Sequence, residues 1–441
     1  MFSRGIFLFR NVEFSDSLMN QKPLIKEGVV VAKRNLVTVL AFCVSICLCF
    51  GGQAFAKKAP EAIKVSAVLS VTGMFAGLAK QASDAYEIYV DKINREGGVF
   101  VKEFNKKIPI KLKIYDDESN GMKTQTQLEA ANSWGAVANL GGIGCMSFEM
   151  GTPIAQKNKM VWIGPGCAGW TPHQEGNEWM FSAFFKTPFL APLVFDMVLS
   201  MPEPRPKKVG IFEINQLDCQ EAVKAWKEAA KKGGFEIVFH KKYSPGTKDF
   251  SALINGAKAA GVEILLGYPI PPEGPALVKQ MKELDFSPKL VYWVRAPEAS
   301  KFGPSLGALA NYVTVPVAWA NQLKIPGNEY LVSEYKKKYG KLPDPIVGTA
   351  YAAAQVFVAA IEKAGTLDRT AIRDAIKATD METVAGRITF SDQGWAKDRL
   401  VLVLQWMDGK QNIVFYNKSG VKYKSMIPLT KLKWQPEWSK R

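Results

Sequence analysis

Histidine is nearly missing from this chain, with only His173 and His240 among 441 residues. There is no His-Glu-x-x-His and no paired Cys-x-x-Cys, so the usual parts of a zinc site are not there. The sequence also lacks a P-loop Gly-x-x-x-x-Gly-Lys-Ser/Thr, the signature of an NTPase. No fixed-period repeat or low-complexity tract occurs. Cysteine is scarce: Cys43, Cys47 and Cys49 fall in an N-terminal apolar run, and only Cys145, Cys167 and Cys219 lie beyond it. That odd number allows at most one intrachain disulfide.

Hydrophobic residues make up 47% of the chain, enough for two or three domains with sizeable cores and too many for a disordered or fibrous protein. Residues 36–50 form an unbroken, mostly apolar run, preceded by Lys33-Arg34 and followed by Gly51-Gly52-Gln53-Ala54-Phe55-Ala56. This reads as a secretory signal cleaved after Ala56. The run is shorter than the roughly 18–20 residues needed to span a bilayer. Phe42, Ile46 and Leu48 precede the three cysteines where a lipoprotein signal wants a small residue. The expectation is a periplasmic protein. The net charge of +16 suits nucleic acid, an anionic surface or an anionic ligand. Export removes nucleic acid, and runs such as Lys336-Lys337-Lys338 read as solvated faces.

Beyond residue 56 the pattern alternates. Strands are predicted over 63–71, 108–115, 136–143 and 160–163, with helices over 78–94, 122–133 and 149–157 between them. After the Pro-rich stretch 201–206 a second series begins, with strands over 209–214, 235–240, 263–267 and 289–293 and helices over 220–232, 250–260 and 275–283. Strands separated by helices of this length imply parallel, doubly wound sheets. Ala-rich helices over 329–339, 346–364 and 369–379 follow, then a β-rich end in which Asp408-Gly409 marks a hairpin. Gly164-Pro165-Gly166-Cys167-Ala168-Gly169 fits Gly-x-Gly-x-x-Gly. The segment after it starts no helix, so the glycines read as a bare strand end that a small ligand can approach rather than as a dinucleotide site.

Several segments, taken in order, are specific together. They are residues 65–73 with Ser70-Val71-Thr72-Gly73, Ile93-Asn94-Arg95-Glu96-Gly97-Gly98-Val99, Tyr115-Asp116-Asp117-Glu118, Ile163-Gly164-Pro165-Gly166, Asp249-Phe250-Ser251-Ala252-Leu253-Ile254, residues 351–365, and Gly386-Arg387-Ile388-Thr389-Phe390 with Asp392 and Gly394. Over nearly all of the chain beyond residue 56 they resemble type I periplasmic binding proteins of the leucine/isoleucine/valine-binding kind, which serve ATP-binding-cassette importers. The resemblance implies an α/β fold of two doubly wound parallel-sheet lobes joined by three crossovers. One lobe would hold residues 62–182 plus 316–385, and the other 187–313 plus 388–441. It further implies a non-enzymatic monomer without cofactor or metal, which closes on a small-molecule ligand and delivers it to a permease in the inner membrane. A sensor coupled to a membrane signalling receptor would use the same lobes.

In similar proteins the ligand's carboxylate and ammonium are held by first-lobe loops that here contain Met146 and Ser147, and Cys167 and Ala168, with Phe75 and Leu78 covering the ligand. The family's hydroxyl-bearing run is thinned here to Ser147, which puts a branched-chain amino-acid ligand in doubt. From the second lobe come Asp218, Tyr268 and Arg295, each just past a strand end. Arg295 either clamps a carboxylate bidentately or is a surface arginine beside Glu298. Asp218 accepts an ammonium or caps a helix starting near Gln220. Tyr268 offers a ring and a hydroxyl or simply packs. Trp162, Trp170, Trp179 and Trp293 are candidates for an apolar wall, which would fit an aromatic carboxylate. Cys145 and Cys167 end adjacent predicted strands, about 4.8 Å apart, inside the roughly 4.4–6.8 Å that a disulfide accepts. The choice is between a bridge and two buried thiols.

Overall fold

The computed structural model describes residues 58–174 and 176–441; the apolar run and its cleavage point lie outside them. The first sheet contains β1 (Ile63–Leu69), β2 (Ile110–Asp116), β3 (Ala138–Asn139), β4 (Val161–Gly164) and β5 (Met180–Ser182). Their order is β2-β1-β3-β4-β5, and every neighbouring pair is parallel. In β1 only Lys64 escapes burial, as a strand covered by helices on both faces requires. Three of the connections are α1 (Ala76–Arg95), α2 (Gly121–Trp134) and α3 (Cys145–Lys157). Helix α2 starts where Asn120 accepts hydrogen bonds from the amides of Met122 and Lys123, satisfying two of the donors a helix start leaves free.

The second sheet is built from β6 (Lys208–Ile214), β7 (Glu236–Tyr243), β8 (Ile264–Gly267), β9 (Leu290–Trp293), β10 (Val313–Val317), β11 (Leu402–Met407) and β12 (Lys410–Tyr416). Its order is β12-β11-β10-β9-β8-β6-β7, with β11 and β12 antiparallel and the rest parallel. Helices α4 (Leu217–Gly233), α5 (Ser251–Ala259) and α6 (Glu273–Glu283) connect the parallel strands. After β10 the chain leaves this sheet for α7 (Asn328–Tyr339), α8 (Pro345–Ala364) and α9 (Arg369–Lys377). Helix α8 packs against α1, and the chain then returns to form β11 and β12. It therefore passes between the two sheets three times. One apolar cluster gathers Val65, Tyr86, Ala350 and Phe357 around the first sheet, and another gathers Ile211, Trp226, Leu266 and Trp293 around the second. Helix α8 is long and apolar enough to cross a membrane, but its most apolar window is 83% buried inside the fold, which makes it a core helix.

Three differences from the sequence reading matter for the site. The strand expected over 136–143 is regular only at Ala138–Asn139. Helix α3 starts at Cys145 rather than near 149, because Gly144 turns the chain abruptly out of the strand at φ 80°. Helix α4 starts at Leu217, so Asp218 lies inside its first turn and the N-cap position is Gln216; from there Asp218 Oδ1 accepts from the Cys219 amide.

Candidate ligand-binding cleft

Both sheets present the carboxyl ends of their parallel strands to a common cleft, the place where open α/β sheets hold ligands. The loop after β1 brings Phe75, and the first turn of α1 brings Leu78. The turn into α3 brings Gly144 and Cys145, and the loop after β4 brings Gly166, Cys167 and Ala168. From the other side come Asp218 at the start of α4, Tyr268 just past β8, and Val294 and Arg295 just past β9, with Glu298 beyond them. Together these groups enclose a cavity of about 40 Å³. A second cavity, of about 250 Å³, shares Phe75, Cys145, Asp218 and Arg295 with the first and adds Met146, Glu149 and Gln216.

Seven of the nine predicted ligand contacts thus meet around the inner cavity: Phe75, Leu78, Cys167, Ala168, Asp218, Tyr268 and Arg295. Met146 lines the outer cavity and is 45% exposed. Ser147 is elsewhere: its hydroxyl is within donating reach of Asp117 Oδ2 at 3.2 Å or the Ile143 carbonyl at 3.4 Å, because the early start of α3 carries it onto the buried side of the helix. None of the four tryptophans lines either cavity. Trp162 stacks on Phe148 and donates to the Gly141 carbonyl, and Trp170 packs on Phe189 and Trp395. The apolar wall is instead Phe75, Leu78, Ile143, Phe184, Val294 and Ile346.

Cys145 and Cys167 are free, buried thiols. Cys145 opens a helix instead of ending a strand, and the amide of Gly169 donates to its Sγ at 3.2 Å. Burial, then a hydrogen bond with Cys167, pushes the Cys145 thiol well up, the reverse of what a nucleophile needs.

Arg295 is no surface residue. Its side chain is 11% exposed, and it donates through Nη1 to Gln216 Oε1 and through Nη2 to Asp218 Oδ2. The backbone there has φ 77°, a conformation that costs a non-glycine residue on the order of 1–3 kcal/mol and persists only when its surroundings impose it. The guanidinium lies 5.4 Å from the Tyr268 ring centre and 5.9 Å from that of Phe75. Burial opposes its charge, but Asp218, Cys145 and Tyr268 together outweigh burial and hold its pKa above the ordinary value. Tyr268 is fully buried, and its hydroxyl has no partner within the described residues. Burial drives its pKa well up, so it stays a donor. Burial, then Asp344, raises Glu298 to about 8; its carboxyl is protonated at neutral pH.

Two groups that the sequence reading missed stand just behind the lining. Lys186 is fully buried and donates from Nζ to the Cys167 carbonyl at 2.6 Å; burial lowers its pKa. Glu221 of α4 accepts from the amides of Trp170 and Thr171 at 2.6 and 2.8 Å, from Thr171 Oγ1 at 2.6 Å and from Thr187 Oγ1 at 3.0 Å. It ties α4 to the loop that follows β4. No signal in the sequence marks either residue, since each is one charge among many. Among the described residues no cluster of three or more His, Cys, Asp or Glu is placed to hold a metal ion.

Residues 62–411 match the family described as periplasmic binding protein. A Leu/Ile/Val-binding protein homolog 3 from Brucella melitensis is 26% identical over 362 residues, covering 81% of this chain and 94% of that protein. Among solved structures, a leucine-binding protein from Thermotoga maritima superposes with a TM-score of 0.71 at 20% identity, covering 80% of this chain and 98% of that one. A solute-binding protein of an ABC transporter from Rhodopseudomonas palustris, in complex with 3,4-dihydroxybenzoic acid, superposes with a TM-score of 0.69 at 20% identity, covering 87% and 100%.

Proposed function

This chain belongs to the periplasmic binding protein family, and from that membership we propose that it captures a small carboxylate, an amino acid or an aromatic acid, in the cleft between its sheets and delivers it to an ATP-binding-cassette permease. The observation that carries the reading is Arg295, a nearly enclosed guanidinium set between Phe75 on one side of the cleft and Tyr268 on the other. A guanidinium fork suits a carboxylate, and such charge-assisted bonds are roughly twice as strong as neutral ones. The surrounding Phe75, Leu78, Phe184 and Ile346 favour an apolar or aromatic body. The R. palustris relative in structure is an ABC-transporter protein holding an aromatic acid, which supports uptake over receptor-coupled sensing.

The inner cavity of about 40 Å³ is far below the roughly 300–1,000 Å³ of typical small-molecule sites. A ligand therefore has to part the two sides, and only one that touches both favours their closing again. The test is a thermal-shift screen of the purified protein with amino acids, aromatic carboxylates, dicarboxylates and amides. Carboxylates should stabilise it, by about 2.7 kcal/mol at a hundred times the dissociation constant, and Arg295→Ala should abolish that shift. Stabilisation by uncharged compounds alone, or an undiminished carboxylate shift in Arg295→Ala, would remove this reading.

A further inference from the structure

An α-ammonium group brings three N–H donors and a full positive charge, so a closed site that takes an amino acid needs acceptors that nothing else occupies. In the inner cavity the strand-end carbonyls and the Asp218 carboxylate are already engaged. The Gly166 carbonyl accepts from Gly144 N at 3.0 Å, the Ala168 carbonyl from Thr187 N at 2.9 Å, and the Arg295 carbonyl from Glu298 N at 2.9 Å. Asp218 spends Oδ1 on Cys219 N at 3.0 Å and Oδ2 on Arg295 and on Cys145 Sγ, the latter at 3.4 Å. The Cys167 carbonyl is held by a cation of the protein itself, Lys186 Nζ, at 2.6 Å.

The donors, by contrast, are open. The buried Tyr268 hydroxyl has no partner within the described residues. The first turn of α3 faces the cavity behind Gly144, an N-cap without a side-chain acceptor. Amides so placed, at the positive end of a thirteen-residue helix, suit an anion. The other carboxyl of the inner cavity, Glu298, keeps its proton at neutral pH and adds a donor.

We propose that the cleft selects carboxylates that carry no α-ammonium group, and that Lys186 on the Cys167 carbonyl and Arg295 on Asp218 set this choice by occupying the acceptors an ammonium would need. The inference rests on the carboxylate capture proposed above and narrows it. A ligand ammonium in the inner cavity would meet two resident cations, with Asp218 already paired to one of them, whereas a des-amino acid keeps the carboxylate contacts and lays its body on the apolar wall.

The test is isothermal titration of the purified protein at pH 7 with pairs that differ only in the amino group: phenylacetate and phenylglycine, 3-phenylpropanoate and phenylalanine, 4-methylpentanoate and leucine. The des-amino member should bind at least tenfold more tightly in each pair that binds. An amino acid that binds as tightly as its partner overturns the selection and leaves carboxylate capture standing; silence from all six overturns both. Lys186→Met keeps the length of the side chain, removes its charge and frees the Cys167 carbonyl. In that variant the discrimination should narrow at least fivefold, with the amino acid gaining. An unchanged ratio in a variant that melts like the parent overturns the role given to Lys186.

Discussion

Glu298 and Arg295 share the wall of the cavity but not a charge state, and the difference sets a pH dependence. The folded protein holds the Glu298 carboxyl near 8 against an ordinary 4.5. Its contribution to stability is therefore fully present below about 4.5 and is lost progressively as pH rises toward 8, where the unfolded chain has released a proton that the fold retains. Glu298→Gln keeps the shape and has no proton to lose. The variant should gain melting temperature relative to the parent at pH 8 and show little difference at pH 4.5, as paired thermal scans would register. Tyr268→Phe acts differently. It removes a hydroxyl that has no partner among the described residues, so stability should hold or rise while the affinity for a carboxylate falls about five- to tenfold by titration. At this scale the sequence was informative where position followed from a strand end, as for Asp218, Tyr268 and Arg295. It was not informative where direction depended on packing. Ser147 needed the true start of α3, and the tryptophans needed the sheet faces, neither of which residue type alone specifies.

The alternation of strands and helices was legible because apolar periodicity is local. Every helix expected from the pattern is present, mostly with ends shifted by one to three residues. What escaped notice was short or internally contradictory. β5 has three residues, and β10 reads Val-Thr-Val-Pro-Val, with a proline, Pro316, that argues against a strand in sequence but falls beyond Thr314, where the pairing with β9 ends. Helix α8 offers a test of how tightly the elements fit. A Cβ on Gly348 would lie 2.0 Å from the Trp319 ring. That ring is fully buried and pinned by its Nε1–H to Asn328 Oδ1 at 2.8 Å. Alanine normally gains about 1 kcal/mol over glycine in a helix. Here overpacking, at about 1–3 kcal/mol, should win, so Gly348→Ala should lower the denaturation midpoint.

For the molecule as a whole, Glu221 links the two sides directly, with three donors from Trp170 and Thr171 and a fourth from Thr187 converging on one carboxylate. Glu221→Gln replaces an acceptor by an amide that turns its own N–H groups on those donors. The cost should be about 2–3 kcal/mol in urea unfolding. Because the closed arrangement loses those bonds, the affinity for any captured carboxylate should fall along with stability.

The threefold passage of the chain between the sheets also governs how the protein can be made. The core of the first sheet depends on α8, which is encoded after the whole parallel part of the second sheet. The second sheet in turn lacks β11 and β12 until α7 to α9 have been laid down elsewhere. Neither half can complete its core while the chain is still emerging from the ribosome, because each waits on residues synthesised late. A chain that cannot fold early stays unfolded, and an unfolded chain is the form that threads through a translocation pore.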